Sequence, residues 1–216
     1  MSQTFVSRSD VERAKQANPW NLTNSVLYKL CSDHPTHMER DAVLAKINII
    51  GRVYAAAIER RKVVLPDETN ESFYISSVAP AVMESSLDDW INRAKSVDPD
   101  GPTALSVMLE VHKLTTELFN QISGLNKRSL ASKYLHFHVP HLFFIFDSRA
   151  QTGIGSLSLP KLIERSRPRR HDRVYAAFAE RCVALRSHCE SRFGVKLTPR
   201  ELDNLVLGVD PQIGRR

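Results

Sequence analysis

The sequence predicts an all-α protein that forms a single compact multi-helix domain. Its apolar residues recur mainly at steps of three and four, which is the spacing of an amphipathic helix. Glycine is scarce at 8 residues, and the hydrophobic fraction of 42% is ordinary for a globular protein. Because 216 residues suit one domain, we expect residues 1–216 to fold as one helical unit.

The formal net charge of +6 favours an anionic partner such as nucleic acid. Residues 1–10 lack the apolar core of a signal peptide, and no apolar stretch is long enough to span a bilayer. The expected location is therefore the cytoplasm, with no membrane association. Cys31, Cys182 and Cys189 form no Cys-x-x-Cys pair, so we expect reduced, buried cysteines.

In the first half of the chain, a short helix through Ala17 precedes a second helix from about Asn21. The second helix has a predicted inward stripe of Leu22, Val26, Leu27 and Leu30. The longest helix is expected from about Met38 to Arg61. Gly51 inside it predicts close packing against a neighbouring helix, since glycine there costs about 1 kcal/mol relative to alanine.

The next segment shows weak alternation at Phe73, Ile75 and Ser77, which indicates a short extended piece. Helices are then expected over residues 81–97 and 103–122, separated by a turn.

After the central stretch described below, a short helix should end before Gly153. A long helix over residues 172–193 and a final helix opened by the capping box of Thr198 and Glu201 complete the chain.

The central stretch, Gly124 to Ala150, contains the features that bear most on function. A turn is followed by a short amphipathic helix that Pro140 ends, then by the large apolar residues 143–146, then by Asp147. The turn has the apolar–x–Gly–apolar–x form of a helix-hairpin-helix module, which contacts phosphate through backbone N–H groups. Asn126 stands where the second glycine of that turn usually lies, and asparagine tolerates positive φ.

From about Ile122 to Ile154 the chain resembles the helix-hairpin-helix DNA glycosylases, the superfamily that contains 8-oxoguanine DNA glycosylase. Gly124, Ala131 and Asp147 keep the order of that family's hairpin, second helix and aspartate. Uncharacterised bacterial proteins with a Ser-x-Ala-Ser-Lys-Tyr-like helix are more similar still, and some such proteins accompany anti-phage operons. The resemblance implies a glycosylase-like segment over about residues 118–155.

In family members that also cleave the DNA strand, a lysine near the start of the second helix attacks the sugar and the aspartate stabilises its developing positive charge. The resemblance therefore implies a base-excision glycosylase or lyase without a cofactor. Its nucleophile would be Lys133, with Lys127 in reserve, and Asp147 would be its carboxylate. This chain has Arg128 where the family's lysine stands, and arginine stays protonated and cannot be an amine nucleophile.

Each of these residues also has a simpler interpretation. Lys127 and Lys133 suit surface lysines or phosphate contacts, and Asp147 suits a helix N-cap, which is compatible with a catalytic role. Tyr134, Phe137 and Trp90 are candidates to line a base pocket. The expected DNA contacts are Gly124, Asn126, Lys127, Arg128, Arg149, Arg169 and Arg170.

Three functions remain open at this point: a glycosylase or lyase, a non-catalytic DNA-binding or defence-associated module of the same fold, and a helical adaptor for protein or RNA. We expect no metal site, because His136 and His138 lie about 200° apart on a helix. The sequence leaves the target base and the oligomeric state open.

Overall fold

The structure is a computed structural model that describes residues 5–60, 69–159 and 171–208. The elements of regular secondary structure in these ranges are all helical, which confirms the predicted all-α class. They are α1 (Arg8–Ala14), α2 (Asn21–Asp33), α3 (Arg40–Val53), α4 (Asn70–Phe73), a π-helical turn (Tyr74–Val78), α5 (Ala79–Met83), α6 (Leu87–Lys95), α7 (Ala104–Ser123), α8 (Arg128–His138), α9 (Ser148–Ser156), α10 (Arg173–Phe193) and α11 (Pro199–Gly208).

These helices group into two compact units. The central unit comprises residues 19–142 and contains α2 to α8. The terminal unit comprises residues 1–18 and 143–216 and contains α1, α9, α10 and α11. The boundary between the units divides the stretch from Gly124 to Ala150, so its hairpin and its aspartate belong to different units.

The central unit is built around α8. Every residue from Leu130 to Val139 is buried, and α8 packs against α2, α3 and α7. Because α8 has no solvated face along these residues, its polar side chains need partners inside the protein.

Two helices of the terminal unit have clear capping interactions at their ends. The Asp172 carboxylate accepts hydrogen bonds from the backbone N–H groups of Val174 and Tyr175 and so begins α10, which ends at the left-handed Gly194. Thr198 and Glu201 form the predicted capping box of α11. One face of α10 belongs to the buried core; it comprises Tyr175, Phe178, Cys182, Leu185 and Cys189.

Several predicted elements were wrong in the first half of the chain. Helix α3 ends at Val53 instead of Arg61, because Ala55 adopts a positive φ of 51° and turns the chain back. The returning loop explains Gly51, where a Cβ atom would lie 3.0 Å from the Cα of Ala57 rather than against a helix. The extended piece predicted around Phe73 is helical.

Other corrections concern helix bounds and faces. Leu22 and Val26 are 77% and 55% exposed, because α2 buries the stripe of Leu27 and Cys31 instead. The predicted helix over residues 81–97 is two helices, α5 and α6. Helix α9 continues past Gly153 to Ser156.

Gly153 gives a sharp test of packing in the terminal unit. A Cβ atom at Gly153 would lie 2.4 Å from the carbonyl oxygen of Val206 on α11, whereas one at Gly155 would meet nothing within 4 Å. We expect Gly153→Ala to lower the free energy of unfolding by about 1–3 kcal/mol through overpacking. Gly155→Ala should raise it by about 0.5–1 kcal/mol, because alanine favours the helix. Urea denaturation of both variants measures this, and equal stabilities would contradict the close α9–α11 contact.

Candidate functional site

The turn between α7 and α8 reverses the chain at one glycine. Gly124 has a φ of 70°, in the left-handed region, and its N–H donates to the carbonyl of Asn120 at 2.8 Å. Asn126 does not adopt the positive φ that asparagine tolerates, since Ala55 is the one described non-glycine residue with such a φ. Asn126 acts instead through its side chain, whose Oδ1 accepts the N–H of Arg128 at 3.1 Å.

The start of α8 carries two cations and lacks an acidic residue in its first turn. Lys127 occupies the N-cap position, where its side chain cannot accept a backbone N–H. Its Nζ donates to the carbonyl of Arg60 at 2.7 Å. At the same helix end, Nε2 of the fully buried His112 donates to the carbonyl of Arg128 at 3.2 Å. The hairpin is therefore fixed to both α7 and the loop that follows α3.

Lys133 lies inside the central unit, with 2% of its surface exposed. Its Nζ donates to the carbonyl of Tyr54 at 3.2 Å and to Oγ of Ser129 at 3.1 Å, and it lies 5.6 Å from the centroid of the Tyr54 ring. Tyr54 is the C-cap residue that follows α3, and the helix dipole favours a cation at this end of a helix. The interpretation of Lys133 as a surface lysine is therefore wrong, and its contacts are those of an internal anchor.

Asp147 belongs to the terminal unit and begins α9. Its Oδ1 accepts the N–H of Ala150 at 2.9 Å, which confirms the predicted N-cap. It follows the buried residues 143–146 and is itself partly exposed. Arg149 is exposed in the first turn of α9, whereas Arg169 and Arg170 lie outside the described residues.

The residues expected to line a base pocket do not surround an open one. Tyr134 and Phe137 are 0% and 2% exposed and belong to the core. Trp90 is partly exposed on α6. An open cavity of about 600 Å³ instead lies between α3 and the π-helical turn. Its lining is Leu44, Ala45, Asn48, Ile49, Arg52, Asn70, Glu71, Tyr74 and Ile75.

A buried polar cluster that the sequence did not reveal joins three elements of the central unit. Asp88 on α6 accepts the backbone N–H of His37 at 2.9 Å and its ring Nδ1–H at 2.5 Å. Nε2 of His37 then accepts the hydroxyl proton of Tyr134 on α8 at 2.6 Å. His138, one turn further along α8, stacks on the ring of His37. The sequence separation of 51 residues between His37 and Asp88 gives no local signal for this pairing.

Burial controls the protonation of this cluster. Desolvation, with the positive charge of Lys46 second, lowers the pKa of His37 to about 4 despite the opposing effect of Asp88. Burial likewise holds the pKa of His138 well below its ordinary value and the pKa of Tyr134 well above it. Burial also lowers the pKa of Lys46 to about 8. Because the Tyr134 hydroxyl is fully buried and stays protonated, the Asp88–His37–Tyr134 chain positions α8 and offers no exposed nucleophile.

Two further polar contacts hold α8 and its surroundings. The hydroxyl of Tyr28 on α2 lies 2.7 Å from Nε2 of His136. Lys46 is fully buried and donates to the carbonyls of His34 and Thr36, which fixes the turn between α2 and α3. Among the described residues, His, Cys, Asp and Glu side chains form no group of three that could hold a metal ion.

The basic charge of the chain is unevenly divided between the units. Residues 1–18 and 143–216 contain 17 lysines and arginines against 10 aspartates and glutamates, a net charge of +7. Residues 19–142 contain 13 against 14, a net charge of −1. The excess of basic charge therefore lies in the terminal unit, whereas the α7–α8 turn lies in the nearly neutral unit.

Comparisons of the chain with protein-family models, curated proteins and solved structures gave no match. Within the described part of the chain, no helix has the length and apolarity needed to cross a membrane.

Proposed function

We propose that the protein binds DNA, with the α7–α8 turn acting as a helix-hairpin-helix-like phosphate contact. The observation that carries this proposal is the start of α8, which follows the left-handed Gly124, bears Lys127 and Arg128, and has no acidic residue in its first turn. The dipole of an 11-residue helix adds to these charges in favouring a phosphate. Hydrogen bonds on both sides of the turn support a fixed shape.

The terminal unit would supply the sequence-independent part of the affinity. Arg149 is exposed at the start of α9, and Arg169 and Arg170 belong to the densest basic run of the sequence. Its net charge of +7 is the excess that long-range attraction to a phosphate backbone requires. A cytoplasmic DNA-binding protein of this kind suits an accessory role in repair or in defence against phage.

The binding proposal predicts a defined salt dependence. The logarithm of the affinity for a short duplex should fall linearly with the logarithm of salt concentration, with a slope of about 0.9 for each phosphate contacted. Arg128→Gln should reduce the slope by about 1, and the double variant Arg169→Gln/Arg170→Gln by about 1–2. Fluorescence anisotropy at several salt concentrations measures these slopes.

Lys29→Gln is the matched control, because Lys29 is exposed on α2 in an ion pair with Asp33 and is not among the predicted contacts. It should keep the wild-type slope. An affinity that is the same at roughly 50 and 200 mM salt would contradict DNA binding by this protein.

A second candidate is that the protein is also a glycosylase or lyase. It is supported by the order along the chain of the α7–α8 turn, Lys133 on α8 and the Asp147 N-cap of α9. In this reaction a lysine amine would bond to C1′ of the sugar while the glycosidic bond breaks, and the base would leave with the bonding electrons and take up a proton. Asp147 would stabilise the positive charge on the sugar. Arg128 and the internal contacts of Lys133 favour the non-catalytic alternative.

Borohydride trapping on duplexes with an abasic site or 8-oxoguanine separates these alternatives. The lyase hypothesis predicts a covalent adduct that is lost in Lys133→Arg or, if Lys127 is the nucleophile, in Lys127→Arg. Each arginine keeps the charge but cannot form the Schiff base. Asp147→Asn should slow adduct formation at least about tenfold. The absence of an adduct with wild type, alongside salt-dependent binding, would rule out an amine-driven lyase on these substrates.

A further inference from the structure

Two imidazole rings lie face to face inside the central unit. The rings of His37 and His138 have centroids 5.3 Å apart and an interplanar angle of 30°. Their exposed fractions are 2% and 6%. A stacked pair of histidines is stable in this position only while at least one ring is neutral, because two cations at this distance repel each other strongly without water to screen them.

Burial favours a neutral state for both rings by lowering their pKa values, and the hydrogen bonds fit that state. The ring Nδ1–H of His37 donates to Asp88, so its Nε2 is left to accept from Tyr134. Nδ1–H of His138 donates to the carbonyl of Tyr134 at 2.8 Å. Nε2 of His138 is buried and has no hydrogen-bond partner among the described residues. A proton added there would have no acceptor.

We propose that His37 and His138 form a proton-operated release point for helix α8. When both rings take up protons, the pair becomes two adjacent cations, and Nε2 of His37 can no longer accept the hydroxyl proton of Tyr134. Tyr134 then has to turn its own O–H toward the apolar core. The hydrogen bond between α8 and the turn before α3 then reverses its direction, and the O–H of Tyr134 loses its acceptor on His37.

Most of the charged groups around the two rings oppose their protonation. Lys46 on α3 and Lys95 on α6 both disfavour protonation of the two rings. Asp88 on α6 favours it for His37 alone. Tyr134 on α8 and Cys31 on α2 also adjoin the cluster, and burial keeps both of them protonated and uncharged by raising their pKa values. One carboxylate therefore faces two imidazoles and two lysines.

The direction of the pH effect follows from these pKa values. In the unfolded chain both histidines titrate near 6.5, whereas in the folded protein the pKa of His37 is about 4 and that of His138 is well below its ordinary value. Between these limits the unfolded or opened state binds more protons than the folded state. The release point is therefore closed above about pH 6.5 and opens progressively as the pH falls toward 4.

Hydrogen exchange of the full-length protein at pH 7.0, 6.0, 5.0 and 4.5 tests this proposal directly. Protection factors for the amides of residues 130–138 should fall by up to about 100-fold per pH unit in the steepest part of this range, because opening takes up as many as two protons. Amides of α10, in the unit that lacks the pair, should keep their protection. Unchanged protection in α8, or an equal loss in α10, would overturn the proposal.

Two variants sharpen the measurement. His138→Gln should reduce the pH dependence in α8 to at most about tenfold per pH unit, because one proton site remains. His141→Gln, at an exposed position three residues away, should keep the wild-type dependence. If His138→Gln does not fold, the wild-type protein can be tested instead. Its histidine ring signals are then followed in a nuclear magnetic resonance pH titration. Two buried rings that both titrate near pH 6.5 without loss of α8 protection would refute the release point.

Discussion

The burial of a polar helix is the constraint on which the central unit depends. Helix α8 has buried residues all round from Leu130 to Val139, yet Ser132, Lys133, His136 and His138 are among them. A buried polar group without a partner costs about 1–3 kcal/mol, so the surrounding elements have to present hydrogen-bonding groups at matching positions. The hydroxyl of Tyr28 bonds His136, the carbonyl of Tyr54 accepts from Lys133, and the ring of His37 accepts from Tyr134 on the same helix.

This constraint also bears on the proposed DNA contact. The turn before α8 is fixed on one side by His112 and on the other by Lys127, so the helix start has a defined position within the central unit. A fixed backbone loses little conformational entropy on binding a phosphate. Both candidate lysines donate to backbone carbonyl groups, Lys133 inside the unit and Lys127 at its surface, which favours a binding role over amine chemistry. The central unit provides the fixed shape of the turn, whereas the terminal unit carries the excess of basic charge.

Local signals were enough to predict much of the fold from the sequence. The caps at Asp147, Asp172 and Thr198 act on neighbouring backbone groups, so the residues that form them are close in sequence. Long-range features were not accessible in this way. The end of α3 depends on a positive φ at Ala55, a residue type that rarely adopts it. The burial of Lys133 depends on a carbonyl 79 residues earlier in the chain, and helical periodicity alone places a lysine at the surface.

The central claim, that buried polar contacts of α8 hold the central unit together, is tested most directly through its buried lysine. Lys133→Met keeps the apolar length of the side chain but removes the donor to Tyr54 and Ser129. Urea denaturation should show a loss of about 1–3 kcal/mol in the free energy of unfolding, because the Tyr54 carbonyl is left without this donor. Lys127→Met, which removes a more exposed donor to the carbonyl of Arg60, should cost less than about 1 kcal/mol. A Lys133→Met protein as stable as the wild type would contradict the account.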